Sequence, residues 1–168
     1  MKNRLVHRVI AQYRLRHYPL RVALSRTYKV AKTPEEILSG LNPAIVERAS
    51  DVNLLNVRHN PSINQLEYTV KGKTRSQYTV MIRAVPEGKE NQYWKSDVLV
   101  SCSCRHWRYG GAEHHAKEGG YLYAEEYPIG TLASPDIRDP QKHNYVCKHV
   151  YAALQEAKGI YFDMDTRR

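Results

Sequence analysis

The chain has 168 residues, the size of one domain with an appended arm, and no apolar run approaches the roughly eighteen residues of a membrane-spanning helix. Lysine and arginine number 26 against 17 acids, a net charge of +9 that calls for an anionic partner surface. The basic start runs into interrupted, charged sequence in place of a secretory apolar core, so three reduced cysteines in a cytosolic setting are expected.

Charge is concentrated at the N-terminus. Lys2, Arg4, Arg8, Arg14, Arg16, Arg21, Arg26, Lys29 and Lys32 all precede the first acid, Glu35, and the bases that follow are balanced by the 17 acids. Such a segment is expected to seek a polyanion or an acidic protein face, through a contact that weakens with salt. Leu5, Val6, Val9, Ile10 and Tyr13 recur at helical spacing, predicting an amphipathic helix over residues 2–17 that Pro19 ends or bends. Residues 20–30 read as strand or helix. Thr33-Pro34-Glu35-Glu36 is a helix start, with a capping threonine, proline at the first position and acids in the first turn; Gly40 stops that helix. Asn42-Pro43 starts another, ending near Ser50. Residues 1–50 therefore read as a basic, mainly helical arm.

From Val52 the period changes to two, opening a second unit over residues 51–168. Val52 to Arg58 is a first strand, and Asn60-Pro61-Ser62 turns the chain. Leu66, Tyr68 and Val70 alternate with polar residues in a second, which Lys71-Gly72-Lys73 ends. Tyr78, Val80, Ile82 and Ala84 make a third, followed by a turn at 86–89. In the fourth, Trp94, Val98 and Val100 share parity with Cys102 and Cys104. Val150, Ala153, Leu154 and Ala157 form one face of a last helix, which Gly159 ends. The expected fold is α+β: basic N-terminal helices, a four-stranded antiparallel meander, and a helix pinned to it.

The pin is the cysteine pattern. All three cysteines lie in Cys102-Ser103-Cys104 and Cys147-Lys148-His149. Residues two apart on a strand share a face, so Cys102 and Cys104 can converge. Residues two apart in a helix point about 200° apart, so Cys147 must lie at a cap with His149 in the first turn. Three thiolates and an imidazole suit one structural Zn²⁺ with no open position. A disulfide would strand one cysteine, and scattered buried thiols would not explain the pairing of ligand types.

This order, C-x-C, a long insert, then C-x-H followed at once by an apolar helix, resembles the SWIM-type zinc finger over residues 92–158. The resemblance implies a ββα finger that binds DNA or protein and does no catalysis. The insert, residues 105–146, is longer than usual. With Arg105-His106-Trp107-Arg108-Tyr109 opening it and Asp139-Pro140 before the second ligand pair, the pattern is similar to zinc-binding structural proteins of tailed bacteriophages. That similarity implies a virion component, assembled in the host cytoplasm.

The insert also interleaves bases with aromatics, adding Tyr121, Tyr123 and Tyr127. Such a surface stacks on bases or anchors protein interfaces. Arg105, Trp107, Arg108 and Tyr109, with the arm bases, are the expected partner contacts. Glu113, His114 and His115, with His143 and Asp136 or Asp139, contain the residue types of an acid/base or second-metal set. Adjacent histidines point apart, however, and no H-E-x-x-H, phosphate-loop or dinucleotide pattern occurs. The expectation is a non-enzymatic, zinc-stabilised assembly protein that contacts other structural subunits and neither membrane nor small-molecule substrate; DNA binding through the arm is the alternative.

Overall fold

The computed structural model describes residues 32–73, 76–85, 91–123 and 145–161. The predicted helix over 2–17, the segment 20–30, the turn at 86–89, Tyr127, Asp136, Asp139, His143 and the arm bases Lys2, Arg4, Arg8, Arg14, Arg16, Arg21 and Arg26 lie outside them.

Helix α1 (Pro34–Leu38) begins as its sequence dictates. The Thr33 hydroxyl accepts the Glu36 N–H while the Glu36 carboxylate accepts the Thr33 N–H at 2.8 Å, a reciprocal capping box. Gly40, at φ +72°, turns the chain out of the helix in a conformation only glycine adopts without strain. In α2 (Pro43–Ala49) the Asn42 side chain caps the Ala44 N–H at 2.9 Å. Ile37 enters the same hydrophobic core as the sheet, and Ile45 is equally buried.

Four antiparallel strands follow in chain order: β1 (Asn53–Asn60), β2 (Gln65–Lys71), β3 (Gln77–Val85) and β4 (Asp97–Cys102). The alternation in β2 and β3 is that of a sheet with one covered face, so Leu66, Tyr68, Val70, Val80, Ile82 and Ala84 point into the core. A bulge at Leu55 interrupts β1 between Leu54 and Asn56. The extra residue shifts the phase of the strand, so Leu54 opposes Val70 but Val57 and His59, rather than their neighbours, oppose Tyr68 and Leu66.

Strand β4 is covered on both faces and along its outer edge. Val98 N–H donates to the Lys32 carbonyl, Val100 N–H to that of Gly120, and Leu122 N–H returns to Val100. Tyr123 reaches Met81, the cross-strand partner of Ser101, with its hydroxyl 2.8 Å from the sulfur. Val98, Leu99, Val100 and Ser101 are buried for that reason. Trp94 lies before the strand, in the turn that leads into it, and Cys104 just beyond its end.

The first part of the expected loop 105–146 is helical. A π-helical turn, Trp107–Gly111, continues into the α-helix Ala112–Lys117; together they form α3. The last helix, α4 (Lys148–Glu156), ends in a 3₁₀ turn, Ala157–Gly159. Its apolar face, Val150, Ala153 and Leu154, is fully buried with Val80, Val98 and Val100. Each valine and leucine among them contributes about 1.5–3 kcal/mol of burial, so the α4–sheet contact adds substantially to the stability of the fold.

Candidate metal centre

Two chain ends meet where β4 stops and α4 begins. Cys102 closes β4, paired with Val80, and Cys104 sits in the following turn. Cys147 is the N-cap of α4 in an extended conformation, φ −85° and ψ 156°, and His149 lies in the first turn. One ligand atom from each of Cys102, Cys104, Cys147 and His149 lies within 4.8 Å of all the others, and all four residues are buried. The helix-start pair sits as the i, i+2 argument required; Cys104, expected on the strand with Cys102, instead reaches the cluster from the turn after β4.

Backbone donors tune the sulfurs. Trp107 N–H donates to Cys104 Sγ at 3.3 Å, and Val150 N–H to Cys147 Sγ at 3.4 Å. Each cysteine thus stands three residues before its donor at the start of a helix, where exposed N–H groups favour a thiolate. The hydrogen bond shared with Cys102 holds the Cys104 thiol far below the ordinary range, and the same bond pushes Cys102 up. Burial pushes Cys147 up. Three thiols packed this closely cannot all ionise unaided, and a divalent cation is what allows them to do so together.

The imidazole carries the same message. Both Nδ1 and Nε2 of His149 are buried without a hydrogen-bond partner among the described residues. An unmet imidazole nitrogen inside a core is costly unless something accepts its lone pair. The Tyr78 ring packs against it with centroids 4.7 Å apart, and a β-carbon on Gly72 would come within 3.4 Å of Nε2. Soft donors, an orphaned nitrogen and mutual convergence fit one zinc ion in a closed Cys₃His shell.

The SWIM zinc finger family model matches residues 78–112 and 140–158. Those segments carry all four ligands, strands β3 and β4, and α4. The match skips residues 113–139, so the middle of the insert falls outside the family pattern, and it spans about a third of the chain. No curated protein and no solved structure matches. The matched segments thus carry a zinc-binding group similar to that of SWIM zinc fingers, with Cys102, Cys104, Cys147 and His149 placed to bind one zinc ion.

The remaining candidates separate. Arg108 and Tyr109 in α3, and Arg105 just before it, are exposed. Trp107 is not a surface contact: it is 2 % exposed, stacked on His115 at 5.0 Å and packed near Tyr121. The helical turn that the loop reading lacked rotates it inward while its neighbours face out. Glu113 is buried beside Lys117 at 3.4 Å, His114 stacks on Tyr145 at 4.5 Å, and His115 is buried. Among the described residues only the Cys₃His group brings three metal-type ligands together. Sequence reasoning missed Tyr78 and Gly72 as the walls around His149; nothing in their spacing marks them.

Proposed function

We propose that this chain is a non-enzymatic assembly protein in which zinc fixes a small α+β module, and that it serves as a component of a bacteriophage particle, docking on neighbouring subunits. The observation that carries the non-catalytic part is the ligand set itself. Four protein donors converge in a buried cluster and would fill a tetrahedral ion, leaving no exchangeable position for substrate or water. The module then offers two docking features: the basic segment before Glu35, and the exposed row Arg105, Arg108 and Tyr109 at and just before the start of α3. Arginine and tyrosine are the residues by which protein interfaces are anchored. The phage-particle assignment is supported by the similarity of the long-insert motif.

The same exposed row supports a second reading, a nucleic-acid-binding module, because arginine and tyrosine also contact phosphate and stack on bases. Salt separates the two. Native mass spectrometry of the full chain, co-produced with the structural proteins of the particle, is expected to show one zinc and a stoichiometric complex with those proteins. Binding to duplex DNA is then expected to be weak. A saturable DNA complex at physiological salt, with log affinity falling at about −0.9 per phosphate contacted, together with no subunit complex, would overturn the assembly reading.

A further inference from the structure

Tyr78, Thr79 and Val80, near the start of β3, touch both halves of the metal centre. Val80 pairs across the sheet with Cys102. Thr79 N–H donates to the Ser103 hydroxyl at 3.0 Å, and Ser103 N–H donates to the Thr79 carbonyl at 3.0 Å, so the residue between the two strand-exit cysteines is held by two bonds. The Tyr78 ring packs on the His149 imidazole, with centroids 4.7 Å apart and planes inclined by 37°. Ligands far apart in sequence are thus referred to one short run of strand.

The imidazole is the ligand that most needs such a frame. A zinc-bound histidine ordinarily donates its other ring N–H to a carboxylate, a carbonyl or a water, and that bond fixes the ring. Neither ring nitrogen of His149 has a hydrogen-bond partner among the described residues, and both are shut off from solvent. Whichever nitrogen meets the ion, the other gives the ring no bond to orient it. What remains is contact: Tyr78 against the ring, and Gly72 so close that a β-carbon there would come within 3.4 Å of Nε2. A tilted aromatic pair at this spacing is attractive beyond the area it buries. Coordination to a dication draws electrons from the imidazole and makes it the better partner for an electron-rich phenol.

We propose that Tyr78 and Ser103 are positioning residues for the metal. The start of β3 preorganises the donors, holding the His149 ring through the Tyr78 ring and the Cys102–Cys104 turn through the Ser103 hydroxyl. The inference rests on the Cys₃His reading of the centre. Donors held in place before the ion arrives lose less freedom when it binds, so the contribution is read as metal affinity. Ser103 is exposed and Tyr78 only partly buried, so neither is a pillar of the hydrophobic core.

The test compares the full chain with Tyr78→Leu, Tyr78→Phe, Ser103→Ala and, as a control, Ile82→Val, a core truncation about 13 Å along β3 from Tyr78. Zinc affinity is measured by competition with a chromophoric chelator. Donor geometry is read from the visible d–d absorption of the Co²⁺-saturated protein, which loss of global stability alone does not move. Tyr78→Leu and Ser103→Ala are each expected to bind zinc about two- to tenfold more weakly, the worth of one aromatic pair or one hydrogen bond, and to shift the Co²⁺ bands. Tyr78→Phe is expected to match the parent in both. Ile82→Val is expected to weaken binding only through the coupling of folding to metal uptake, with the bands unmoved. A saturated Co²⁺ spectrum identical to the parent's in Tyr78→Leu or in Ser103→Ala, zinc binding by Tyr78→Phe as weak as by Tyr78→Leu, or the same band shift in Ile82→Val would overturn the proposal. A parent chain that takes up neither ion stoichiometrically would overturn the Cys₃His reading, and the proposal with it.

Discussion

A β-carbon placed on Gly111 would lie 2.7 Å from the carbonyl oxygen of Tyr145. The same carbon would fall 2.5 Å from the Trp107 ring, so α3 meets both the indole and the segment that leads into Cys147 with no space to spare. Gly111→Ala is expected to cost about 1–3 kcal/mol through overpacking. Urea unfolding of the zinc-loaded protein measures this; a midpoint equal to the parent's would show that the contact is loose.

The metal centre predicts a larger loss. Cys147→Ser removes one sulfur ligand while leaving a hydroxyl that can still cap α4, and so unpins from the metal the helix whose apolar face closes the core. A domain's whole margin is about 5–15 kcal/mol, and a structural zinc site can supply most of it. Thermal melting followed by circular dichroism is expected to lose its cooperative transition, both in this variant and in the parent treated with a strong chelator. A sharp transition retained in both would remove zinc from the list of forces that hold the fold.

Acid acts on α1 through Glu36. Hydrogen bonds from Thr33 lower its carboxyl pKa below 4.5 in the folded state. A folded-state pKa below the unfolded one adds stability above the unfolded value, and that stability is lost as pH falls through the folded value. The gap in stability between parent and Glu36→Gln is therefore expected to be full at neutral pH and to close below about pH 4.5. Thr33→Ala removes the cap at every pH and also one of the hydrogen bonds to the Glu36 carboxylate, so it is expected to cost about 1 kcal/mol or more at neutral pH and less, but still something, below about pH 4.5. Equilibrium unfolding of both variants at stepped pH checks the difference.

His115 behaves in the same sense for a different reason. Burial lowers its pKa from 6.5 to about 3, so the ring stays neutral in the fold while the unfolded chain takes up a proton as pH drops through 6.5. Its contribution to stability is present above pH 6.5 and is lost progressively toward pH 3. Two-bond ¹⁵N–¹H spectra at pH 5 are expected to show a neutral imidazole with the proton on Nδ1. A protonated ring at that pH would mean that the Trp107–His115 stack is open to water.

Most of the frame was legible because period and punctuation agree in it. Thr33-Pro34 and Asn42-Pro43 start helices where capping chemistry says they must, and the alternation at Leu66–Val70 and Tyr78–Ala84 gives β2 and β3 directly. The ligand set was legible because two i, i+2 pairs can converge only from a strand exit and a helix start. Three features were not. The bulge at Leu55 changes the phase of β1 through backbone geometry, with no residue that announces it. Helix α3 was hidden by Gly110-Gly111, which reads as a breaker; packing against Trp107 and Tyr145 requires the small residue and outweighs the propensity cost. The pairing of Gly120 and Leu122 with β4 is a long-range contact that no local pattern encodes.

Cys104 and Cys147 each open a helix, and this bears on the electrostatics of the ion between them. Three thiolates around Zn²⁺ leave about one excess negative charge, and each helix start presents about half a positive charge. Peptide dipoles therefore neutralise the cluster from within. Arg105, exposed just before α3, is then not required for that neutralisation, and its charge stays open to another molecule.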